Sequence, residues 1–158
     1  MFSAYPYWAN CGLGSTVTTE DVKEIAPGIR MISATSMTLA AVEKDKVVVD
    51  MVVRNRVEGG DFAPTETLQE VEIPADEEPE GPHLHQAVTE GEELLLIAGQ
   101  EIRCRWERRT TREDGGIRTE AATWISDQIP GGLARSEFRV DGDPPQSWST
   151  EVVSFLKK

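Results

Sequence analysis

The apolar positions of this chain recur mostly every second residue. Between Lys46 and Val57, Val47, Val49, Met51 and Val53 alternate with Val48, Asp50, Val52 and Arg54. Side chains of an extended strand point alternately to its two faces, so this pattern predicts a strand with one side covered and the other partly wet. Ile102, Cys104 and Trp106 alternate in the same way with Arg103 and Arg105, within a strand predicted over Gln100 to Arg112. Further strands are predicted over Ser15–Ile25, Ile29–Val42, Thr65–Ile73, Glu93–Ala98, Ile117–Ser126, Leu133–Val140 and Ser147–Phe155. Pro6 to Asn10 reads as one short helical turn.

Turn chemistry separates these runs. Ala26-Pro27-Gly28, Glu43-Lys44-Asp45-Lys46, Gly59-Gly60, Gly99, Glu113-Asp114-Gly115-Gly116, Pro130-Gly131-Gly132 and Asp141-Gly142-Asp143-Pro144-Pro145 all lie between predicted strands. Asp-Gly and Pro-Gly supply the backbone angles that tight reversals need. Short links favour antiparallel neighbours. The expectation is an all-β, mainly antiparallel protein: one curled meander of about 8–9 strands forming a half-barrel or barrel, since a long open sheet curls to cover its inner face. At 158 residues the chain suits a single domain, with no second domain or fixed-period repeat.

Charge changes this picture in one place. The formal net charge is −12, yet no Lys or Arg occurs between Arg56 and Arg103, where thirteen of the 28 acidic residues lie. The rest of the chain is nearly neutral, with fifteen acids against 16 bases. Such a molecule repels a phosphate backbone, which argues against a nucleic-acid partner. Residues from about 74 to 92, with prolines at 74, 79 and 82 among the acids, read as a loop. Glu66, Glu70 and Glu72 suit an edge strand that must avoid pairing with another molecule.

No window approaches the ~18 apolar residues of a membrane span. The N-terminus reads Met1-Phe2-Ser3-Ala4-Tyr5-Pro6-Tyr7-Trp8, without a basic segment or apolar core of an export leader. As it stands it predicts a cytoplasmic protein, or an exported, periplasmic one if a leader has been removed. Cys11 and Cys104 are the only cysteines, far apart and outside any C-x-x-C spacing. Cys104 falls in a strand pattern and reads as a small buried hydrophobe, whereas Cys11 near the terminus reads as exposed. A bridge between them stays open for an oxidising compartment.

Four stretches are similar to a wider group: Gly14-Ser15-Thr16-Val17-Thr18, Asp45-Lys46-Val47-Val48-Val49, Ile97 to Trp106, and Thr123-Trp124-Ile125-Ser126-Asp127-Gln128-Ile129-Pro130-Gly131-Gly132-Leu133. In these the chain resembles uncharacterised bacterial β proteins of planctomycete-like genomes, often exported, which look like distant cousins of the lipoprotein-carrier half-barrels. The resemblance implies a curled sheet and carries no catalytic residues.

Candidate chemistry is sparse. His83 and His85 sit two apart in the acidic loop, where they share a face if extended and have carboxylates nearby as further metal ligands. The plainer reading is two solvated loop histidines, since the spacing matches no standard metal motif. Arg103, Arg105, Arg108, Arg109 and Arg112 (with Arg118) concentrate positive charge, either as a docking face or simply paired with neighbouring acids. Met37, Met51, Trp106 and Trp124 are candidates to line a ligand cavity, against the plainer reading that they pack the core. No nucleophile elbow or phosphate loop occurs, and no cofactor is implied. The leading expectation is a non-catalytic binding or carrier module for a lipid-like or other hydrophobic small molecule. The rival is a structural or protein-interaction domain using the acidic loop or the arginine strand. A metal-dependent enzyme at His83 and His85 is the third.

Overall fold

A computed structural model describes residues 3–59, 63–76, 86–112 and 116–158. One short helix, α1 (Tyr5–Ala9), precedes nine strands: β1 (Thr16–Ala26), β2 (Ile29–Val42), β3 (Lys46–Glu58), β4 (Thr65–Pro74), β5 (Gln86–Ile97), β6 (Gln100–Arg112), β7 (Arg118–Ile125), β8 (Leu133–Asp141) and β9 (Gln146–Leu156). All nine belong to one antiparallel sheet, as the period-two pattern predicts.

The order across the sheet is β4-β3-β2-β1-β9-β8-β7-β6-β5. It is therefore not one continuous meander. Two meanders, β1 to β4 and β5 to β9, are joined where β1 pairs with β9, Val17 opposite Phe155 and Lys23 opposite Trp148. β4 and β5, consecutive in sequence, become the two edges, and the sheet stays open between them. The half-barrel is thus the form adopted, not the closed barrel.

The predicted loop over 74–92 needs correction. β5 begins at Gln86 and takes in Glu90, Gly91 and Glu92 as strand residues. Glycine and a run of acids mask a strand in the sequence, because both disfavour it intrinsically. The cross-strand partner compensates. Trp106 lies opposite Gly91, and its ring occupies the space where a side chain at Gly91 would stand, only 2.7–2.9 Å from a Cβ placed there. An aromatic laid over an edge glycine supplies the packing surface that glycine lacks.

Cross-strand partners share a face, so the registers trace each face through the whole sheet. Met51, Met37 and Val17 form one row, and Leu39, Val49 and Val71 the next. Lys23, two residues on from Asp21 along the same side of β1, pairs with Trp148, then Phe138, Ala121 and Arg109. The face that buries Leu39 and Val49 in the first meander therefore carries Arg109, Glu107 and Arg105 in the second. The second meander buries its other face, with Ile102, Cys104, Ala122 and Trp124. Both sets nevertheless belong to one core. Twist of about 20–25° per strand accumulates to more than a right angle over the five steps from β2 to β6. That rotation turns opposite faces of the two arms toward one common interior. Register shifts at Leu39/Ala41, Thr18/Thr19 and Trp124/Ile125 lie close to this core and bend the strands there.

The core gathers at the end of the sheet where α1 sits. Trp8 of α1 is 1% exposed and joins Val17, Leu39, Val47, Val49, Ile97, Ile129 and Val152. The Pro130-Gly131-Gly132 turn fits beneath it. Both glycines have positive φ, 78° and 82°, and added Cβ atoms would meet the Trp8 indole at 2.7 Å and the Tyr7 ring at 2.5 Å. Only glycine satisfies both demands. The chain end is fixed alongside: the Gly12 amide donates to the Lys158 carbonyl (2.7 Å), and the Lys158 amide donates to the fully buried Ser15 hydroxyl (2.9 Å). Cys11, expected at the surface, is 8% exposed and belongs to this core, because the turn after α1 folds it inward.

Gly131→Ala combines an unfavourable positive φ with overpacking against Trp8 and is expected to destabilise the fold by about 2–4 kcal/mol. Gly28→Ala, at φ 75° with open space around it, carries the backbone strain alone and is expected to cost about 1 kcal/mol. Urea denaturation of both variants measures the difference, and equal losses would contradict the packing of Trp8 on Gly131.

Candidate functional site

The residues singled out from the sequence separate into three groups. Met37 and Met51 are direct partners across β2 and β3. Trp106 and Trp124 are direct partners across β6 and β7. Trp124 is 7% exposed, donates its indole N–H to the Glu93 carboxylate and lies under the Arg135 guanidinium, 5.3 Å from the ring centre. Trp106 and Met37 pack against the core. Among the described residues no cavity is bounded by these two pairs together.

The arginines of β6 do not form one patch. Arg103, Arg105 and Arg109 share one face and Arg108 and Arg112 the other, because alternation splits odd from even positions. Several are engaged internally. Arg109 bonds Glu107, Arg108 lies 3.5 Å from Glu120, and Arg105 donates to the Tyr7 hydroxyl at 3.0 Å. His83 and His85 lie outside the described residues, and among those described no cluster of metal-ligating side chains is found.

Among the described residues, an extensive concavity lies over the β5 to β7 face that carries Arg105, Glu107 and Arg109, and of the four predicted ligand-lining residues Trp106, with Gly91 opposite it, also borders it. It has a volume of about 940 Å³. Its floor is built from rows of cross-strand partners. Glu92, Arg105 and Ile125 make one row, Glu90, Glu107 and Thr123 the next, and Arg109 with Ala121 the third. Ser3, Pro6 and Tyr7 close one end. Tyr7 is held there from two sides, by its ring against Gly132 and by the Arg105 bond to its hydroxyl. The Ser3 hydroxyl oxygen is buried with no hydrogen-bond partner among the described residues.

The lining is mixed. Pro6, Trp106, Ala121 and Ile125 are apolar, while Arg105, Arg109, Glu90, Glu92, Glu107 and Tyr7 present charge or a hydroxyl. Glu90 and Glu107 face each other directly, an unfavourable like-charge pair. Glu107 is neutralised by Arg109, whereas Glu90 and Glu92 form no ion pair among the described residues. This arrangement can hold an extended or amphipathic ligand, with polar groups met by arginine and glutamate and an apolar part resting on Ile125 and Ala121.

Of these residues Arg105, Trp106 and Arg109 stand out in the sequence, whereas Glu90, Glu92, Glu107, Ala121, Thr123 and Ile125 read as ordinary solvated positions. Only the register of β5, β6 and β7 assembles them, and α1 walls one end from about a hundred residues away in the chain. No family model, curated protein or solved structure matches the chain.

Cys11 and Cys104 are both free and buried. Burial raises the thiol pKa of each above its ordinary value, opposed at Cys11 by Lys157 and reinforced at Cys104 by the Glu93 carboxylate. Raised folded values keep both residues as thiols at neutral pH, so neither is an activated nucleophile. Both are expected to resist a thiol reagent in the native protein at pH 8 and to react fully in denaturant. Fast labelling of the native protein, read by mass spectrometry, would contradict their burial. Trp124→Ala is expected to cost about 3–5 kcal/mol of stability through loss of buried volume, measured by chemical denaturation.

Proposed function

We propose that this protein is a non-catalytic binding module for a small, partly hydrophobic molecule, held in the groove between α1 and the outer face of β5 to β7. The observation that carries this reading is the groove itself. Its volume of about 940 Å³ is at the upper end of the range for small-molecule sites, about 300–1,000 Å³. Its floor rests on paired strands, and its end wall is fixed by the Arg105–Tyr7 bond and the Tyr7–Gly132 contact. Ligand sites with rigid walls lose little ordering free energy on binding.

The lining narrows the lipid-like reading. A wholly apolar chain would desolvate Arg105, Glu90 and Glu92 without offering them a polar group, which is costly. An amphipathic molecule meets both parts of the groove. Its apolar portion covers Pro6, Ala121 and Ile125, and its polar portion reaches Arg105 and the Tyr7 hydroxyl.

Native mass spectrometry of the purified protein tests the reading. An added mass of a few hundred daltons is expected, and Ala121→Trp, which fills the floor, is expected to remove it. An adduct that survives Ala121→Trp assigns the ligand to another place. A bare chain that also binds no amphipathic probe, such as a short-chain fatty acid ester or a detergent monomer, removes support for the reading.

A further inference from the structure

We propose that the exposed edge of β5 is a docking strand for an extended basic segment of a partner protein, which adds to the sheet as a tenth strand. The inference goes beyond the groove reading and uses a different surface, although Glu90 and Glu92 border both.

Two edges are available, and they differ. An edge strand presents unpaired N–H and C=O groups and pairs readily unless protected. On β4 two of the three acids are offset by its neighbour, Glu66 by Arg54 and Glu72 by Lys46, each at 2.6 Å, while Glu70 stands opposite Asp50 and a single exposed leucine, Leu68, lies between Glu66 and Glu70. On β5 the outward-facing acids are not offset in this way. Glu90 stands opposite Glu107, Glu92 has no ion pair among the described residues, and both are exposed. The same side of β5 continues with Leu94 and Leu96, exposed at 61% and 69%. From Glu90 to Leu96 the order along one face of the open edge is thus acid, acid, leucine, leucine at alternate positions, with exposed Val88 preceding them. Set antiparallel against a copy of itself in the same register, such an edge brings each acid opposite a leucine, a poor match, whereas its leucines stay bare.

The complement follows from strand geometry. Residues of an added strand stand directly opposite those of β5 and share its faces. An antiparallel partner that satisfies this edge reads apolar, any, apolar, any, basic, any, basic. Its apolar side chains cover Leu96 and Leu94, and its Lys or Arg side chains meet Glu92 and Glu90. Main-chain bonds give such a complex its affinity and the alternate side chains its selectivity. A chain of net charge −12 also steers a basic segment toward it.

Fluorescence anisotropy with a labelled synthetic peptide tests this on the intact protein. The peptide places Val, Val, Lys and Arg at alternate positions with Thr between them. Binding in the micromolar range is expected, and salt is expected to weaken it. N-methylation of alternate peptide nitrogens keeps every charge but removes edge pairing, and is expected to weaken binding by at least about tenfold, the equivalent of one good interaction. Glu90→Gln with Glu92→Gln is expected to weaken it by about tenfold as well, with the fold checked by circular dichroism. Equal binding of the N-methylated peptide, or of a peptide with Glu in place of Lys and Arg, overturns the proposal. So does an absence of binding, or a dimer of the protein itself that Leu94→Lys dissolves. Ala121→Trp separates the two readings, since it fills the groove and leaves the β5 edge untouched.

Discussion

A single sheet has no second layer to cover it, and this protein solves that problem with one indole. Trp8 enters from a helix of one and a half turns and is buried against Gly131 at the meeting point of both meanders. Around it gather side chains from the start of β1, the ends of β2 and β9, the opening of β3 and the hairpin between β5 and β6. Among the described residues, the far ends of the strands have no such plug. There the sheet relies on cross-strand ion pairs such as Arg30–Glu58 and on the Phe138–Trp148 stack at 4.2 Å. Exposed pairs of this kind contribute only about 0–1 kcal/mol each. Stability is therefore concentrated at the α1 end, and the opposite end is the place where strands separate first.

The change of buried face between the two meanders follows from the same constraint. With one plug at one end, each arm must present whichever face the twist turns inward. In the first meander that is the face of Met37 and Leu39, and in the second it is the face of Cys104 and Trp124. The faces left outside have different characters for this reason. Arg105, Glu107 and Arg109 line a groove because their own arm buries the other side, where Ile102 and Cys104 pack.

Strand positions were legible in the sequence to within a residue or two wherever alternation was clean and a Gly or Pro turn followed. Ile29–Val42 and Gln100–Arg112 agree with β2 and β6 at both ends. The failures have physical causes. The first half of β5 was hidden because its strand character depends on the Trp106 ring opposite Gly91, a contact between residues fifteen apart. Cys11 was misjudged because its burial depends on Trp8 and on the chain end folding back over Gly12. The order of strands could not be read at all. The pairing of β1 with β9 joins residues more than a hundred positions apart, and local pattern does not encode it. The candidate site suffers most, since its rows exist only once three registers are set. The arginines of β6 were visible as a cluster, but alternation divides them between two faces and gives only part of them to the groove.

The uneven charge of the sequence takes on a spatial meaning through this topology. The segment without a single Lys or Arg, from Val57 to Ile102, includes β4 and β5. Because the two meanders join through β1 and β9, this central stretch of sequence becomes both outer edges of the sheet. The acids are thus concentrated where an open sheet is most prone to pair with itself. On β4, Arg54 and Lys46 from the neighbouring strand offset two of them, so that edge is protected mainly by its polar, exposed side chains. On β5 the corresponding neighbour positions hold Glu107 and the tyrosine-bound Arg105, and Glu90 and Glu92 form no ion pair among the described residues. The β4 edge also bears an exposed leucine, but Leu68 stands alone between Glu66 and Glu70, whereas β5 sets Leu94 and Leu96 together beyond its acids. Under the docking proposal, that adjacent pair is what separates an edge that excludes all strands from one that admits a strand of complementary charge.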